Sequence, residues 1–415
     1  MSVGSARGPS DRGQKVALGV LMLAAFVESM GSFLILALIP FYGQEFGASA
    51  QQVGWLVGTF ALAQLVSAPL WGRLSDRIGR KPVLVLGLVL ALVAYLAFAF
   101  AGDLLQLFVS RALQGLAAGT VSAVFAYLGD LLPAERRAEG VGWVTAATSG
   151  AATVGPLLGS VAARFDPTYP GLWSAALTAV ALLALVALLP RTEEAEESEE
   201  SEEGELEPHR GAPSLPSEQS LMRALGAVVR RPLADGPILV WTYAVGMLAT
   251  GATFGVIGLF LEDRFDIDAT SIWWFFTLLA GVSMVFRIWV LGPTVRRFGE
   301  RRLILVGMLF LGLATVTMPL PNQTWMLALP IVAFAVGQSL LYPCVTAALS
   351  NVAQAHRAGL LGQAMGVQQA YGGVSRVLGP VVGGILFAQI GGFAPFFVAG
   401  ALALVWASVL FARLR

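Results

Sequence analysis

GRLSDRIGRKPVLVLG, residues 72–87, carries five charged side chains in its first ten positions and none in its last six. The stretches on either side, 52–71 and 83–101, have no charge at all. Each is long enough to cross roughly 30 Å of hydrocarbon as a helix. Lipid offers no partner to an unpaired backbone group, so each must be helical. The charged segment between them is then a short connection that reverses the chain at a membrane surface. Glycines permit the tight backbone and arginines hold the ends at phosphate headgroups.

The same pattern recurs along the chain. Of 415 residues, 56% are hydrophobic and 13% charged, and the mean hydropathy of +0.74 lies well outside the balance of a water-soluble domain. Twelve candidate spans fall at about 16–39, 52–71, 83–101, 104–128, 140–162, 172–189, 237–261, 270–291, 303–319, 325–349, 358–387 and 393–411. The first fifteen residues are polar and lack the pattern of a cleavable signal, so the first span is expected to stay as an anchor. If the N-terminus is cytoplasmic, 21 of the 26 basic residues fall in cytoplasmic connections and tails, and only Arg164 and Arg264 in the opposite loops. The positive-inside rule then puts both termini in the cytoplasm of a multi-pass plasma-membrane protein. Zero net charge gives no sign of a nucleic-acid partner.

Between spans six and seven, ten of the fifteen residues from Glu193 to Glu207 are glutamate. Like-charge repulsion and the lack of apolar residues predict a disordered joint. The segment 220–233 after it has the spacing of a short helix on the membrane surface. The expected organisation is a tail at 1–15, a six-helix bundle at 16–189, an acidic linker with its surface helix at 190–233, a second six-helix bundle at 234–411 and a tail at 412–415. The two bundles are related by repetition. GRLSDRIGRKPVLVLG aligns without gaps on GPTVRRFGERRLILVG, residues 292–307, and GAATVGPLLGS, residues 150–160, pairs with VSRVLGPVVGG, residues 374–384. Paired repeats in a membrane protein suggest two bundles that rock about a site between them.

These motifs resemble a known family. Gly72, Asp76, Arg77, Gly79, Arg80 and Lys81 have the spacing of the signature loop of the major facilitator superfamily. Arg111, Gln114 and Gly115 resemble its arginine motif in span four. Gly150, Gly155, Pro156 and Gly159, with Gly379 and Pro380 in the second repeat, resemble the motif of its proton-coupled antiporters. The resemblance implies an all-α membrane protein of twelve helices in two pseudo-symmetric bundles, similar to the drug/proton antiporter group. It also implies a cytoplasmic latch. The matching aspartate, Asp76 here, faces the N-terminal end of span eleven when that side is closed, and the matching arginine, Arg80, pairs with an acid at the place of Asp130. The second copy departs from the pattern, with Arg296 where the first has Asp76.

Of the 26 carboxylates only Glu28 lies deep in a span, about 18 Å from its start at 1.5 Å per residue. A charge at that depth costs about 2.5–3.5 kcal/mol on the lenient insertion scale, which marks a functional residue. Burial favours the neutral form of a carboxylic acid, so Glu28 is expected to be neutral when sealed and ionised when wetted. Spans one and four pack side by side in the superfamily, so Arg111 is expected to release the proton when the two side chains approach. Competition of proton and substrate for one carboxylate then couples the two fluxes. The alternative reading of Glu28 is an acid permanently paired to fix the bundle.

The resemblance places spans one, four, seven and ten around the cavity, helped by two, five, eight and eleven. Candidate contacts are Phe33, Gln64, Gln114, Tyr127, Tyr243, Gln338, Tyr342, Gln368 and Tyr371, aromatic faces with a few amides that suit a bulky, largely apolar ligand. Arg376, deep in span eleven, meets either an anionic group on the substrate or the outer aqueous vestibule. Arg287, five residues from the end of span eight, is expected to reach the surface along its aliphatic stem. No metal-ligand cluster, nucleotide-binding loop or catalytic triad of nucleophile, base and orienting partner appears, so neither a metal, nor ATP, nor an enzymatic reaction is expected. The sequence therefore points to a monomeric, proton-coupled exporter of hydrophobic or amphipathic molecules that needs no cofactor. The alternative is a facilitator or importer of a metabolite or lipid.

Overall fold

The structure, a computed structural model, describes residues 11–189, 225–356 and 361–414. The acidic run 193–207, the tail before residue 11 and the start of the 220–233 segment lie outside the described residues. Residues 225–230 are helical.

The first half comprises α1 (Asp11–Glu45), α2 (Ala50–Ile78), α3 (Arg80–Ala99), α4 (Leu104–Ala118), α5 (Val121–Leu131), α6 (Ala134–Ala163) and α7 (Tyr169–Leu188). The second comprises α8 (Asp235–Phe265), α9 (Trp273–Val285), a π-helical turn (Phe286–Val290), α10 (Leu291–Phe298), α11 (Glu300–Thr317), α12 (Ala328–His356), α13 (Leu361–Gln389) and α14 (Ala394–Leu414). Span four is α4 plus α5, broken at Gly119–Thr120, and span eight is α9, the π turn and α10. Each half is thus six membrane-length units, and no strand occurs among the described residues. Ten units are long and apolar enough to cross a membrane along their length, while α6 and α11 begin with charged turns.

The eleven residues from Gly72 to Pro82 are not an open loop. Helix α2 runs on to Ile78 and α3 starts at Arg80, so the chain reverses at Gly79 alone, with φ 90°. Its repeat partner Gly299 does the same at φ 77°. A side chain is rarely tolerated in that region of φ, and glycine occupies it at no steric cost. These elbows mark one end of the molecule. At the opposite end, Ser49 and Gln52 form a reciprocal capping box at the start of α2, and Asp103 accepts from the Gln106 N–H at 2.8 Å to start α4.

The second repeated motif packs each half together. Gly155 on α6 lies against the backbone of α1, where an added Cβ would meet the Met30 carbonyl oxygen at 2.7 Å. Gly379 on α13 lies against α8, its Cβ position 2.7 Å from the Leu248 carbonyl oxygen. Small residues at these sites let helices approach closely where lipid supplies no hydrophobic drive.

Candidate functional site

The two halves touch at the end opposite the elbows. Gly54 of α2 sits on α13, with its Cβ position 2.4 Å from the Pro380 carbonyl oxygen and 3.2 Å from the Gly384 Cα. Gly258 of α8 sits on Pro40 of α1, and Arg164 Nη2 donates to the Thr270 carbonyl at 3.3 Å. Helices α6 and α9 complete this seam.

At the elbow end the signature residues bond within the first half. Arg80 Nη1 lies 2.7 Å from Asp76 Oδ1 and Nε 3.1 Å from Asp130 Oδ2, while Nη1 also donates to the Ser75 hydroxyl at 3.0 Å. Among the described residues the ion-pair partner of Asp76 is Arg80, one turn on. Lys81 donates to the carbonyls of Leu189 and Val186, satisfying groups left unpaired at the end of α7. Arg77 is exposed, and Gly72 has open space around it. The far end is closed, and the opening lined by Tyr243, Tyr342, Thr346 and Ser350 lies toward the elbows.

Glu28 is 5% exposed in the middle of α1. The Thr120 hydroxyl, at the α4–α5 break, donates to its Oε1 across a long 3.4 Å, and the Tyr95 hydroxyl donates to its backbone carbonyl at 3.2 Å. Arg111 is 1% exposed and does not reach Glu28. Its Nη1 donates to Gln114 Oε1 at 2.6 Å, its Nε to the Leu56 carbonyl at 3.4 Å, and its guanidinium lies 4.7 Å from the centre of the Phe60 ring. Arg111 is nine residues before Thr120, about 13 Å along the helix at 1.5 Å per residue. The predicted approach of acid and arginine is absent from this conformation for that reason. Tyr95 stands within electrostatic reach of both.

Between the halves lies a cavity of about 270 Å³ whose walls include Phe33, Ser149, Phe254, Phe276, Arg287 and Gln338. A second opening of about 580 Å³ continues along the second half past Tyr243, Arg287, Tyr342 and Thr346. Tyr342 and Tyr243 meet edge to face at 5.4 Å, and the Tyr342 and Thr250 hydroxyls are 2.7 Å apart. Of the other sequence candidates, Gln368 is fully buried and donates to Thr346 Oγ1 at 3.0 Å. Tyr127 is buried in the first half, and Gln64 is partly exposed on α2. Tyr371 is not on either wall: it donates to the Leu225 carbonyl at 3.0 Å and packs on Trp241.

Arg287 is exposed, as the sequence suggests, but at the cavity rather than at a span end, because the helix runs on through Phe298. Arg287 is thus eleven residues, about 16 Å, from that end. It belongs to the π turn, a rare geometry that recurs at functional sites, and it lines both cavities. The Pro-free run FRIWV held no sequence signal for that turn.

Comparison with known proteins agrees with this architecture. The chain is 28% identical over 397 residues to Multidrug resistance protein 2 of Bacillus subtilis (strain 168), covering 94% of each chain. It is 26% identical to Tetracycline resistance protein, class B, of Escherichia coli, over 90% of this chain and 88% of the relative. A crystal structure of the peptide transporter POT superposes with a TM-score of 0.75 at 18% identity, over 95% of this chain and 93% of that one, a likeness of fold. The family model described as Major Facilitator Superfamily matches residues 21–361 and 290–415. Two repeated six-helix bundles around a cavity at their seam are the plan of that family, and the chain is a multi-pass membrane transporter belonging to the Major Facilitator Superfamily.

Proposed function

We propose that this transporter exports hydrophobic or amphipathic small molecules across the plasma membrane in exchange for protons, by alternating access. The observation that carries the reading is the isolation of Glu28: a carboxyl in the middle of a span, sealed from water, whose side chain has among the described residues one long hydrogen bond and no cation. An ionised group there would lack both hydration and a counter-ion, a cost of several kcal/mol. Binding a proton removes that cost, and wetting in the other conformation allows the proton to leave. Arg111 is the cation whose approach would drive it off. The multidrug and tetracycline resistance proteins it resembles support export as the direction. The basic-residue bias supports cytoplasmic termini, so the state described faces the cytoplasm, and Asp76, Arg80 and Asp130 form the latch that engages the second half when that side closes. One chain supplies both halves and acts as a monomer powered by the proton gradient.

The test uses inverted membrane vesicles with an imposed proton gradient. Adding tetracycline, a quinolone or ethidium should dissipate part of the gradient in vesicles that contain the protein, and Glu28→Gln should abolish the response. Transport of these compounds that leaves the gradient untouched would sink the exchange mechanism and favour a facilitator.

A further inference from the structure

The second half carries two permanent cations in its spans, Arg287 on the cavity wall and Arg376 on α13, and among the described residues no acid pairs with either. Arg287 lies where the inter-half cavity meets the opening toward the elbow end. Tyr243 and Tyr342 line that opening with Arg287, and Gly372, one turn before Arg376 on α13, packs on the Tyr243 ring, so Arg376 stands on the helix face that meets the tyrosine pair. Neither arginine forms an ion pair with any of the described residues. The six carboxylates of the second half, Asp235, Glu262, Asp263, Asp266, Asp268 and Glu300, all stand at helix ends. Glu28, on the other side of the seam, is turned to Thr120. Beside Arg287 on the cavity wall, the side-chain amide nitrogen of Gln338 is buried without an acceptor.

Guanidinium groups keep their charge at any working pH and present a planar fork of donors. Arg287 is exposed and Arg376 half-buried, and the chemistry that matches an unpaired guanidinium is a carboxylate or sulfonate able to take two parallel hydrogen bonds. Phe33, Phe254 and Phe276 on the same walls suit the aromatic or aliphatic body attached to such a group. We propose that the substrate is an amphipathic organic anion whose acidic group binds between Arg287 and Arg376, with Gln338 donating beside them and its apolar body against the phenylalanines. This inference rests on the export reading for its direction of transport, and it adds the substrate's charge.

The test measures thermal stabilisation of the purified full-length protein in detergent by three probes that share a pyrene body: 1-pyrenebutyrate, 1-pyrenebutanol and 1-pyrenebutylamine. The butyrate should half-saturate at a concentration at least about tenfold below the other two, the size of one good charge-assisted contact. Arg287→Gln and Arg376→Gln should each remove most of that preference by weakening the butyrate more than the alcohol, and the lysine substitutions at the same positions should restore part of it. A preference for the amine or the alcohol, or an anion preference that survives both glutamine substitutions, would overturn the proposal. Should a glutamine variant fail to fold, the lysine variants and the charge series on the unaltered protein decide. The two readings also fail separately. Glu28-dependent proton movement driven by ethidium, without anion preference, removes the anion subsite alone. Arginine-dependent anion binding with no proton movement for any probe removes exchange alone.

Discussion

The hydroxyl of Thr120 lies 3.4 Å from a carboxylate oxygen of Glu28, joining the break in span four to the middle of span one. The same hydroxyl oxygen lies 2.8 Å from the Ala117 carbonyl, so its single proton is shared between the helix break and the acid. Thr120→Val keeps the shape and removes the donor. A net hydrogen bond is worth about 1 kcal/mol, so proton-coupled transport should fall roughly fivefold with the fold intact. Thr120→Ser should retain most activity. Equal rates for the valine variant and the unaltered protein in inverted vesicles would remove Thr120 from the site.

Gly54 lets α2 rest on α13 only while the far end is closed. Gly54→Ala forces a Cβ into the Pro380 carbonyl, an overpacking of about 1–3 kcal/mol charged to this conformation alone. The population should move toward the form open at that end by roughly 5- to 150-fold. Maleimide labelling of Gln51→Cys in a Cys344→Ser background reads that shift as faster modification. By contrast Gly155→Ala, packed inside one half against the Met30 carbonyl, should lower thermal stability without changing that labelling rate.

The two elbows give a paired prediction. Gly79 and Gly299 share a positive φ, 90° and 77°, and nothing crowds a Cβ at either. Alanine at each should cost about 1–2 kcal/mol from backbone strain alone, with similar drops in melting temperature. A large loss at one site and none at the other would show that the two elbows are not equivalent.

Asp268, in the connection between α8 and α9, gives a pH-dependent prediction. Partial burial pushes its carboxyl up, but donors from Ser271 and Thr270 outweigh that and hold it below the usual aspartate range. A depressed value in the folded state means that the stabilisation is fully present above the unfolded value, about 3.9, and is lost progressively as pH falls through the lower folded-state value. Asp268→Asn should therefore lower the melting temperature at pH 7, and the gap to the unaltered protein should narrow steadily as the pH is taken below the unfolded value. A gap that does not narrow would assign the effect to packing.

Much of this architecture was legible because membrane helices announce themselves by length and lack of charge, and because duplication wrote the same elbow twice. Gly79 and Gly299 stand 220 positions apart in matching motifs, which marks both reversals in the sequence. The extent of the helices was less legible. Charged residues such as Arg73, Asp76 and Arg77 look like loop, yet they continue α2 to Ile78, since a helix can project past the hydrocarbon into the headgroups. The same effect at Gly292–Phe298 hid the depth of Arg287. The local break at Gly119–Thr120 and the π turn at Phe286–Val290 depend on how neighbouring helices press on the backbone, which a linear pattern does not carry. Proximity of spans one and four was readable from the family resemblance, but the axial offset of Arg111 from Glu28 was not.

With the organic anion proposed above as substrate, the charges of proton and substrate add over a turnover. A cycle that admits one proton and expels one monovalent anion moves two positive charges inward. Each is worth about 2.3 kcal/mol per 100 mV of membrane voltage. Export of such an anion would then run on voltage even where the two sides share one pH, and a potassium gradient with valinomycin should drive it in vesicles without any acid jump.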